Sequence, residues 1–546
     1  MDEHKNISKS VLIVGAGPSG LMIAHELARF NIPVRLIDKN PEPSFESRAL
    51  IIQIRTLEIF DALNIISSLE EKSESLNAFE VFVENKKPLE IQVMPTDSNF
   101  LRPLVVDQSH TEEVLGKSIK SLGVKIERGV ELVGLTQTKT NIYADLKSSL
   151  GTEKAGPFAY IIGADGAHSF VRKNMPLSFE GSTYEDAFIL ADVQCSSDDQ
   201  ENKFRIFFKG LDFLALVPLY QKGNYRLISV RRDERSKIGP KPNIEEFQKL
   251  IAQLVPFSFA IKTTRWVSRF FVQCRSASHY QHENLFLIGD AAHIHSPAGG
   301  QGMNTGLQDA FNLGFKLALV LKKLSPESLL STYELERKPV GDFLIKNTDR
   351  LFKFMIRSSF GARMLRRLVL PFIAHNKKIR AKIFRVVSQT AITYKHGCLC
   401  TNYQHQEIFN IKIGRRMINW LLINNYNNKN NIHRISAANF FTCFIFVPEN
   451  YTKNNITKIY KTARDFADKY SDFLRLVVVF SHNHAAQEIG AHEEYNFFAD
   501  TQVVPSFFEP FYIITRTDAH VFCASNLADL EHAHRALSRW YLREKP

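Results

Sequence analysis

Three glycines near the N-terminus have the spacing that lets a backbone approach a phosphate group. They follow the apolar run Val11–Val14 as G-x-G-x-x-G; the first makes a tight turn, the second admits a pyrophosphate, and the third lets the next helix pack on the strand. The free N–H groups at the start of that helix would face the phosphates, and Asp38 would accept a hydrogen bond from a ribose. The residues that this pattern assigns to a dinucleotide are Gly15, Gly17, Pro18, Ser19, Gly20, Asp38 and Lys39.

A second segment has the composition to hold another part of the same ligand. The apolar run Leu285–Ile288 ends at Asp290, whose carboxylate can reach a polyol hydroxyl, and a loop rich in proline and glycine follows. The next helix begins near Gly302, so its free N–H groups and partial positive charge suit a flavin ring, whose reduced form is an anion. The segment therefore favours FAD over NAD. The residues that it assigns to the cofactor are Asp290, Pro297, Gly300, Gly302, Met303 and Asn304.

A third apolar run, Tyr160–Gly163, also ends at an acidic turn. Asp165 and Gly166 form this turn, and a short basic helix that contains Arg172 follows. Asp165 is assigned to the cofactor set, although a residue of this type at this position could equally serve only to shape the turn.

Two histidines of the second segment, His293 and His295, are candidates for acid–base chemistry because imidazole titrates near neutral pH. Packing within the loop is the favoured alternative, since their neighbours belong to the cofactor motif. The catalytic residues therefore stay open, with His295 as one candidate.

Hydrophobic periodicity predicts the elements that position these residues. Residues 180–275 alternate apolar and polar side chains, which predicts a sheet, and residues 76–105 are predicted to leave the first domain and join it. The other predicted elements are helices at 56–69, 108–123 and 325–395, strands at 440–447 and 474–480, and a polar, asparagine-rich loop at 424–431.

The three segments, in this order, resemble the FAD-dependent class A aromatic hydroxylases. That family carries the G-x-G-x-x-G turn, an Asp-Gly motif with Ser and Arg behind it, and a G-D-A-A-H motif leading into P-x-G-G-Q-G-x-N. The chain looks most like the phenol hydroxylase-like branch, whose members add a C-terminal thioredoxin-like domain. Further matching residues are Arg48-Ala49, Gln53-x-Arg55-Thr-Leu-Glu58, Gln108 with Glu112, Asp192 and Tyr333-Glu-x-Glu-Arg337-Lys-Pro339.

The resemblance implies an α/β fold: a Rossmann-like FAD-binding domain with an inserted mixed β-sheet substrate domain, a helical segment and a C-terminal thioredoxin-like domain. The last domain has no C-x-x-C motif, so we expect it to be structural or to form a dimer. The expected boundaries are 1–179 for the first part of the FAD-binding domain (with 76–105 contributing to the substrate domain), 180–275 for the substrate domain, 276–400 for the return and the helical segment, and 401–546 for the thioredoxin-like domain.

The resemblance also implies the chemistry. The expected activity is that of an FAD-dependent monooxygenase, an oxidoreductase that uses NAD(P)H and O₂ to hydroxylate an aromatic substrate, phenolic or polyketide-like, through a flavin hydroperoxide. Arg48 and Gln108 are expected to contact FAD. Pro297 lies where the family's loop carbonyl approaches the peroxide, so it joins His295 as a catalytic candidate. No metal is expected, and a homodimer is the family's habit.

One departure from the family pattern concerns the base that activates a phenol. In phenol hydroxylases proper an Asp follows the position of Ala49, whereas this chain has Leu50. A simple phenol is therefore disfavoured, and a larger polycyclic or already activated ring becomes more plausible. Some of the sheet aromatics are expected to line the pocket, and most of the set is expected to be ordinary core: Phe204, Phe207, Phe208, Phe213 and Tyr225.

Composition fits a globular enzyme of two or three domains. The chain has 546 residues, of which 44% are hydrophobic and 23% charged. No apolar run reaches the roughly 18–20 residues of a membrane span. Six scattered cysteines without metal-ligand spacing favour a reducing cytoplasm.

The net charge is +12, and much of it lies in residues 357–385. One interpretation is a basic amphipathic surface for peripheral contact with anionic lipid. The favoured one is a solvated helical pair that bridges two domains and whose positive field attracts an anionic nicotinamide cofactor. Nucleic-acid binding is disfavoured because no binding module accompanies the charge.

Other function classes share parts of this pattern. A flavin-dependent halogenase is disfavoured because its paired tryptophan motif is missing. A monooxygenase that inactivates an antibiotic would have the same motifs, and a non-hydroxylating FAD oxidoreductase stays an alternative. A non-catalytic FAD-binding protein is disfavoured by the intact loop from Pro297 to Asn304, and turnover with NADPH would exclude it.

Overall fold

The structure is a computed structural model in which most of the chain is described. The described residues are 10–43, 49–84, 87–138, 141–197, 203–231, 243–296, 299–356, 360–394, 399, 411–424, 429–448, 451–480, 496–499 and 509–542.

The first part of the chain alternates short strands with helices. Its strands are β1 (Val11–Val14), β2 (Val34–Asp38), β3 (Ile51–Ile52), β4 (Glu74–Ser75), β5 (Ala78–Val83), β6 (Leu89–Gln92), β7 (Leu104–Val105), β8 (Ile126–Arg128), β9 (Glu131–Gln137), β10 (Ile142–Ser148), β11 (Gly151–Phe158) and β12 (Tyr160–Gly163). Its helices are α1 (Pro18–Arg29), α2 (Ile54–Ala62), α3 (Ile66–Glu70), α4 (Gln108–Ser121) and α5 (Phe170–Lys173).

Long strands dominate the middle of the chain, and helices follow them. The middle elements are β13 (Phe179–Ser197), β14 (Phe204–Lys209), β15 (Asp212–Pro218), β16 (Asn224–Arg231), α6 (Ile244–Leu254) and β17 (Phe259–Ala277). The next elements are β18 (Gln281–His282), β19 (Leu285–Leu287), β20 (His293–Ile294), α7 (Gly302–Leu321), α8 (Ser331–Ile356), α9 (Phe360–His375) and α10 (Lys377–Val387).

The C-terminal part again mixes strands and helices. Its elements are β21 (Leu421–Asn424), β22 (Lys429–Asn431), α11 (Ile432–Ala437), β23 (Phe441–Val447), α12 (Lys453–Ala467), β24 (Leu474–Phe480), β25 (Asn496–Ala499), β26 (Phe511–Arg516), β27 (Val521–Asn526) and α13 (Leu530–Ser538).

The central sheet has the strand order β18-β19-β12-β1-β2-β8. β1 lies between β12 and β2 and is parallel to both, and β12 is parallel to β19. Every side chain of β1 is buried, as expected for a strand covered on both faces. Because the carboxyl ends of parallel strands meet at one edge, the turns after β1, β12 and β19 lie side by side.

The mixed sheet has the strand order β20-β17-β13-β16-β15-β14-β5-β6. Residues 76–105 contribute to it because β5 runs parallel to β14, with Phe79 opposite Phe204. One face packs on α6, where Phe207 and Phe247 share a core. Alternation along β14 turns Phe204 and Phe208 to the opposite face.

The C-terminal sheet has the order β22-β21-β25-β24-β23-β26-β27. β23 and β24 are parallel and joined through α12, whereas β26 and β27 form an antiparallel pair followed by α13. The assignment of this part to the thioredoxin-like class stays a prediction, as do the domain boundaries.

The predicted fold class is confirmed: the molecule is α/β, with a central sheet that is parallel except for its edge strand β18 and with an inserted mixed sheet. Two local predictions need correction. Residues 56–69 form two helices, since Asn64 takes a left-handed φ of 59° and ends α2. Residues 421–424 and 429–431 pair with each other as strands in spite of their asparagines, because residues 421–424 also pair with β25 and so join the sheet. Residues 425–428 of the predicted loop lie outside the described residues.

Candidate active site

The turn after β1 packs directly against the turn after β19. Gly289 has a φ of +58°, and a Cβ there would lie 2.6 Å from Oγ of Ser19. A Cβ on Gly306 of α7 would also meet this hydroxyl. Ser19 therefore fills a space that exists because both neighbours are glycines, and this contact joins the first motif to the downstream one.

The three glycines of the first motif have different surroundings. Gly15 has a φ of +103°, and a Cβ on it would run into the backbone of Ala164. A Cβ on Gly20 would collide with the carbonyl group of Gly15. A Cβ on Gly17 would point into open space at the N-cap of α1. Open space before a helix N-terminus is what a phosphate group requires.

Asp38 is fixed beside this turn. Its Oδ2 accepts a hydrogen bond from the N–H of Ala16 at 2.7 Å, and its Oδ1 accepts one from Asn40 at 2.8 Å. Each carboxylate oxygen can accept a further bond, so the group is oriented and still able to hold a hydroxyl. Lys39, the next residue, is exposed to solvent.

Asp165 and Arg172 brace the turns rather than project from them. Oδ2 of Asp165 accepts hydrogen bonds from two backbone N–H groups at the start of α5, at 2.6 and 3.2 Å. Burial raises the pKa of this carboxyl group. The guanidinium group of Arg172 donates to the carbonyl oxygens of Ala167 and Ala291, at 2.7 and 2.8 Å. The second motif thereby ties the downstream motif in place.

Asn304, buried in the first turn of α7, holds the segment that precedes α2. Its Oδ1 accepts a hydrogen bond from the N–H of Gln53 at 2.8 Å. Its Nδ2 donates to the carbonyl oxygens of Ile51 and Gly300, at 2.7 and 2.8 Å. The side chain of Asn304 thus fixes the distance between the start of α7 and residues 51–53.

His293 and His295 have unlike environments. Nε2 of His293 lies 2.7 Å from Asp309, which also accepts from Nε of Arg337 at 2.7 Å. Nδ1 of His295 donates to the carbonyl of Ser296 at 2.8 Å, so its buried Nε2 is the unprotonated nitrogen. Burial lowers the pKa of His295 to about 4, which keeps this imidazole neutral at pH 7.

One cavity of about 850 Å³ runs from these turns to the mixed sheet. At one end it borders the start of α1, Asp290 and the start of α7. At the other end its walls are apolar. The sheet contributes side chains such as Phe188, Phe208 and Phe213, and the helical segment contributes Phe384.

Four described residues that line the cavity carry ionisable side chains: His168, Arg226, Asp290 and His295. Arg226, itself 1% exposed, pairs with Asp192 at 2.6 and 2.8 Å and stacks over Trp266. Its Nη1 is buried and makes no hydrogen bond within the described part of the chain.

The cavity brings together most, but not all, of the predicted site residues. Those that line it are Gly17, Pro18, Ser19, Gln108, Asp290, His295, Gly300, Gly302 and Met303. The described ones that do not line it are Gly15, Gly20, Asp38, Lys39, Asp165 and Asn304. Arg48 and Pro297 lie outside the described residues.

The sequence interpretation missed that α9 and α10 close the cavity. Leu370, Ile383, Phe384 and Val387 line it from this side. Helical spacing of these apolar residues among the basic ones was the available signal. Among the sheet aromatics, Phe204, Phe208 and Phe213 line the cavity, whereas Phe207 and Tyr225 face α6.

Several residues that carry the resemblance lie instead at the domain junction, the contact of α2, α7 and α8 with the C-terminal part. Arg516 binds Glu336 at 2.6 and 2.9 Å, and Lys316 binds the same carboxylate at 2.9 Å. Arg416 binds Glu58 at 2.9 Å, and Arg55 donates to a backbone carbonyl of the same C-terminal part. These motif residues dock a domain.

The described helices include none that is long and apolar enough to cross a membrane. A profile of the family described as "FAD binding domain" matches residues 8–348. The chain belongs to this family, and its cofactor is FAD.

Curated relatives of the chain are monooxygenases. It is 33% identical to pentachlorophenol 4-monooxygenase of Sphingobium chlorophenolicum, over 64% of this chain and 66% of that protein. It is 35% identical to 6-methylpretetramide 4-monooxygenase of Streptomyces rimosus, over 62% of this chain and 60% of that protein. It is 31% identical to rifampicin monooxygenase of Streptomyces venezuelae, over 71% and 79%. The matches thus span 66% and 60% of the first two relatives' lengths.

Solved structures resemble the whole chain. Anhydrotetracycline hydroxylase OxyS from Streptomyces rimosus superimposes with a TM-score of 0.76 at 23% identity, covering 97% of this chain and 99% of that one. CabE, an aromatic hydroxylase from angucycline biosynthesis, superimposes with a TM-score of 0.74 at 25% identity, covering 98% and 99%.

Proposed function

We propose that the protein is an FAD- and NAD(P)H-dependent monooxygenase that uses O₂ to hydroxylate a large aromatic, polyketide-like compound. The observation that carries this proposal is the continuous cavity of about 850 Å³ between the glycine turns and the apolar face of the mixed sheet. It offers one end to a dinucleotide and the other to an apolar ring system.

FAD would bind along the edge where the three turns meet. The N–H groups at the start of α1 would hold the pyrophosphate beside Gly17, where a Cβ would meet open space. Asp38 would hold the ribose, and Gln108 and Asp290 would contact the cofactor further along. The backbone from Gly300 to Met303 would face the flavin ring. Bound FAD supplies electron transfer from NAD(P)H and the activation of O₂.

The protein's own contribution would be to position the substrate and to exclude water. The apolar end of the cavity would keep water from the reacting atoms, which limits the loss of reducing equivalents as H₂O₂. Arg226 would donate a hydrogen bond from Nη1, which has no partner among the described residues, to an oxygen of the substrate. Leu50 lines the cavity at the position where phenol hydroxylases proper have an aspartate. The protein would therefore favour substrates that need no base at this position.

NAD(P)H oxidation by FAD-loaded protein, with H₂O₂ measured in parallel, tests the activity. The panel comprises phenols, hydroxybenzoates, quinones and polycyclic aromatics. Oxidation stimulated by a polycyclic compound without matching peroxide would establish coupled hydroxylation. Oxidation that every compound stimulates with stoichiometric peroxide would refute hydroxylation in favour of a non-hydroxylating FAD oxidoreductase.

FAD content tests the binding edge separately. Gly17→Val should abolish FAD retention, because the added side chain enters the open space at the start of α1. Gly116→Val is the matched control, since a Cβ on Gly116 of α4 also meets open space. Equal FAD content in the two variants would exclude this edge as the phosphate site.

Inactivation of an antibiotic is a second candidate, favoured by the similarity to rifampicin monooxygenase over 79% of that protein's length. The chemistry would be the same and the substrate different. Incubation with ansamycins and tetracyclines, followed by mass spectrometry for an added oxygen atom, separates this candidate from a biosynthetic role.

A homodimer and a cytoplasmic location are finer proposals that rest on the family's habit and on scattered cysteines. Sedimentation of the purified protein tests the first, and cell fractionation tests the second.

A further inference from the structure

Helices α9 and α10 form a surface of one sign of charge, here called the basic helical surface. Between Arg350 and Gln406 the sequence contains no aspartate or glutamate. The exposed or half-buried basic side chains of the two helices are Arg367, Lys377, Lys378, Arg380, Lys382 and Arg385. No acidic side chain of their own segment neutralises them.

The same surface exposes large apolar side chains. Leu368 is 66% exposed and Phe372 is 58% exposed, and Met364 and Leu365 are also exposed. Their spacing of three, four and seven residues places them on one stripe of α9. Such contiguous apolar side chains mark an interaction surface rather than ordinary scatter.

The opposite side of the two helices has a different task. Leu370 and Phe384 line the cavity, and Arg366 turns inward, donating to the carbonyl of Phe354 at 2.9 Å. The apolar stripe is therefore not needed to close the cavity, and its exposure needs a separate explanation.

We propose that the basic helical surface binds an anionic lipid bilayer, with the α9 stripe in the acyl region and the lysines at the headgroups. An interfacial helix has this composition: apolar on one stripe, with lysine and arginine beside it. Each basic residue that reaches an anionic leaflet strengthens binding roughly fivefold. The proposal does not depend on the proposed activity.

A second copy of the chain fits this surface less well. A two-fold dimer would place the surface against itself, so all these positive charges would face their own copies without a carboxylate between them. The charge complementarity of an anionic leaflet is therefore the better match.

Co-sedimentation with vesicles tests the proposal on the full-length, FAD-loaded protein. Phosphatidylcholine vesicles with phosphatidylglycerol should pellet the protein, and phosphatidylcholine alone should not. Neutralising Lys377, Lys378 and Lys382 to glutamine should weaken binding roughly a hundredfold. The matched control neutralises three exposed lysines elsewhere, Lys125, Lys222 and Lys322, and should change binding little.

The apolar stripe is tested by Leu368→Ser with Phe372→Ser, compared with Leu150→Ser, whose side chain is 98% exposed on another surface. The stripe variant should lose the part of binding that survives high salt, since salt screens only the charges. Retained FAD and an unchanged Tm verify that each variant is folded.

Absence of binding to anionic vesicles would overturn the proposal. The proposal would also be overturned if the stripe variant and the Leu150→Ser control lost vesicle binding to the same extent. A dimer that the stripe variant dissociates would assign the surface to a second copy instead.

Discussion

The cavity and the domain junction are both buried, but apolar side chains line most of the cavity whereas charged side chains form the junction. Side chains such as Phe208 and Phe213 border empty space in the cavity. At the junction, Arg516, Glu336 and Lys316 are fully buried, and Glu336 makes an ion pair with each of the two cations. An apolar wall can accept ligands of different shapes, whereas a buried charge tolerates no loss of its partner.

Removing one junction charge should have the largest effect. Arg516→Met leaves the carboxylates of Glu336 and Asp518 without the guanidinium group that they share, so unfolding free energy should fall by about 3–5 kcal/mol. Denaturant unfolding measures it. Arg102→Met, at an exposed arginine, is the control. A loss no larger than the control's would mean that the junction is not held by these charges.

The junction should also be the acid-sensitive region. Burial raises the pKa of Glu336, but Arg516 and Lys316 outweigh it and lower the pKa to about 2. Because the pKa of Glu336 is lower in the folded state than its usual value of 4.5, its ionised carboxylate stabilises the folded state at every pH above 4.5. This stabilisation is lost as the pH falls from 4.5 toward 2. The loss amounts to about 3 kcal/mol.

Unfolding free energies of wild type and Glu336→Gln, measured from pH 6 down to acid, isolate this contribution. The free energy of unfolding of the variant should fall less steeply with decreasing pH than that of wild type, because the variant has no carboxyl group at this position to be protonated. Parallel curves for the two proteins would contradict the shifted pKa.

Aromatic truncation should distinguish the cavity from a solid core. Phe441→Ala removes a ring from the closed core of the C-terminal sheet and should cost about 3–5 kcal/mol. Phe213→Ala removes a ring that already borders space, so it creates less new void and should cost roughly half as much. Thermal unfolding of both variants measures the difference, and equal costs would show that the cavity wall is packed like a core.

The smallest effect is expected where a glycine of the cavity meets a histidine. A Cβ on Gly302 would lie 2.9 Å from Nε2 of His295, so Gly302→Ala should cost about 1–3 kcal/mol. Adding His295→Ala should recover most of that loss. Tm and FAD content of the single and double variants measure this coupling, and additive effects would rule out the contact.

Much of the active-site edge could be predicted from local sequence. Gly15, Gly17 and Gly20 identify a turn because their spacing and the apolar run before them are local features of the sequence. Of the three, only Gly20 meets its steric limit, the carbonyl group of Gly15, close to it in the chain. Residues that act through distant partners escaped such reasoning. Nothing near Ser19 in the sequence indicates that it fills the gap between Gly289 and Gly306.

The roles of other motif residues changed for the same reason. Arg55 and Glu58 belong to a motif that resembles the FAD-dependent aromatic hydroxylases. Arg55 nevertheless donates to Asp518, and Glu58 accepts from Arg416, so both partners lie hundreds of residues away in the chain. Periodicity identified α9 and α10 as helices but not which side would close a cavity, because both sides carry apolar residues.

The sequence alone determined the α/β class, the three turns and the choice of FAD, because strand, turn and helix signals are local and the glycine spacing is specific. Only the tertiary structure decided that the turns share one edge, that the cavity is continuous and that the junction is charged. Those properties depend on strand order and on pairs of side chains far apart in the chain, which no local pattern encodes.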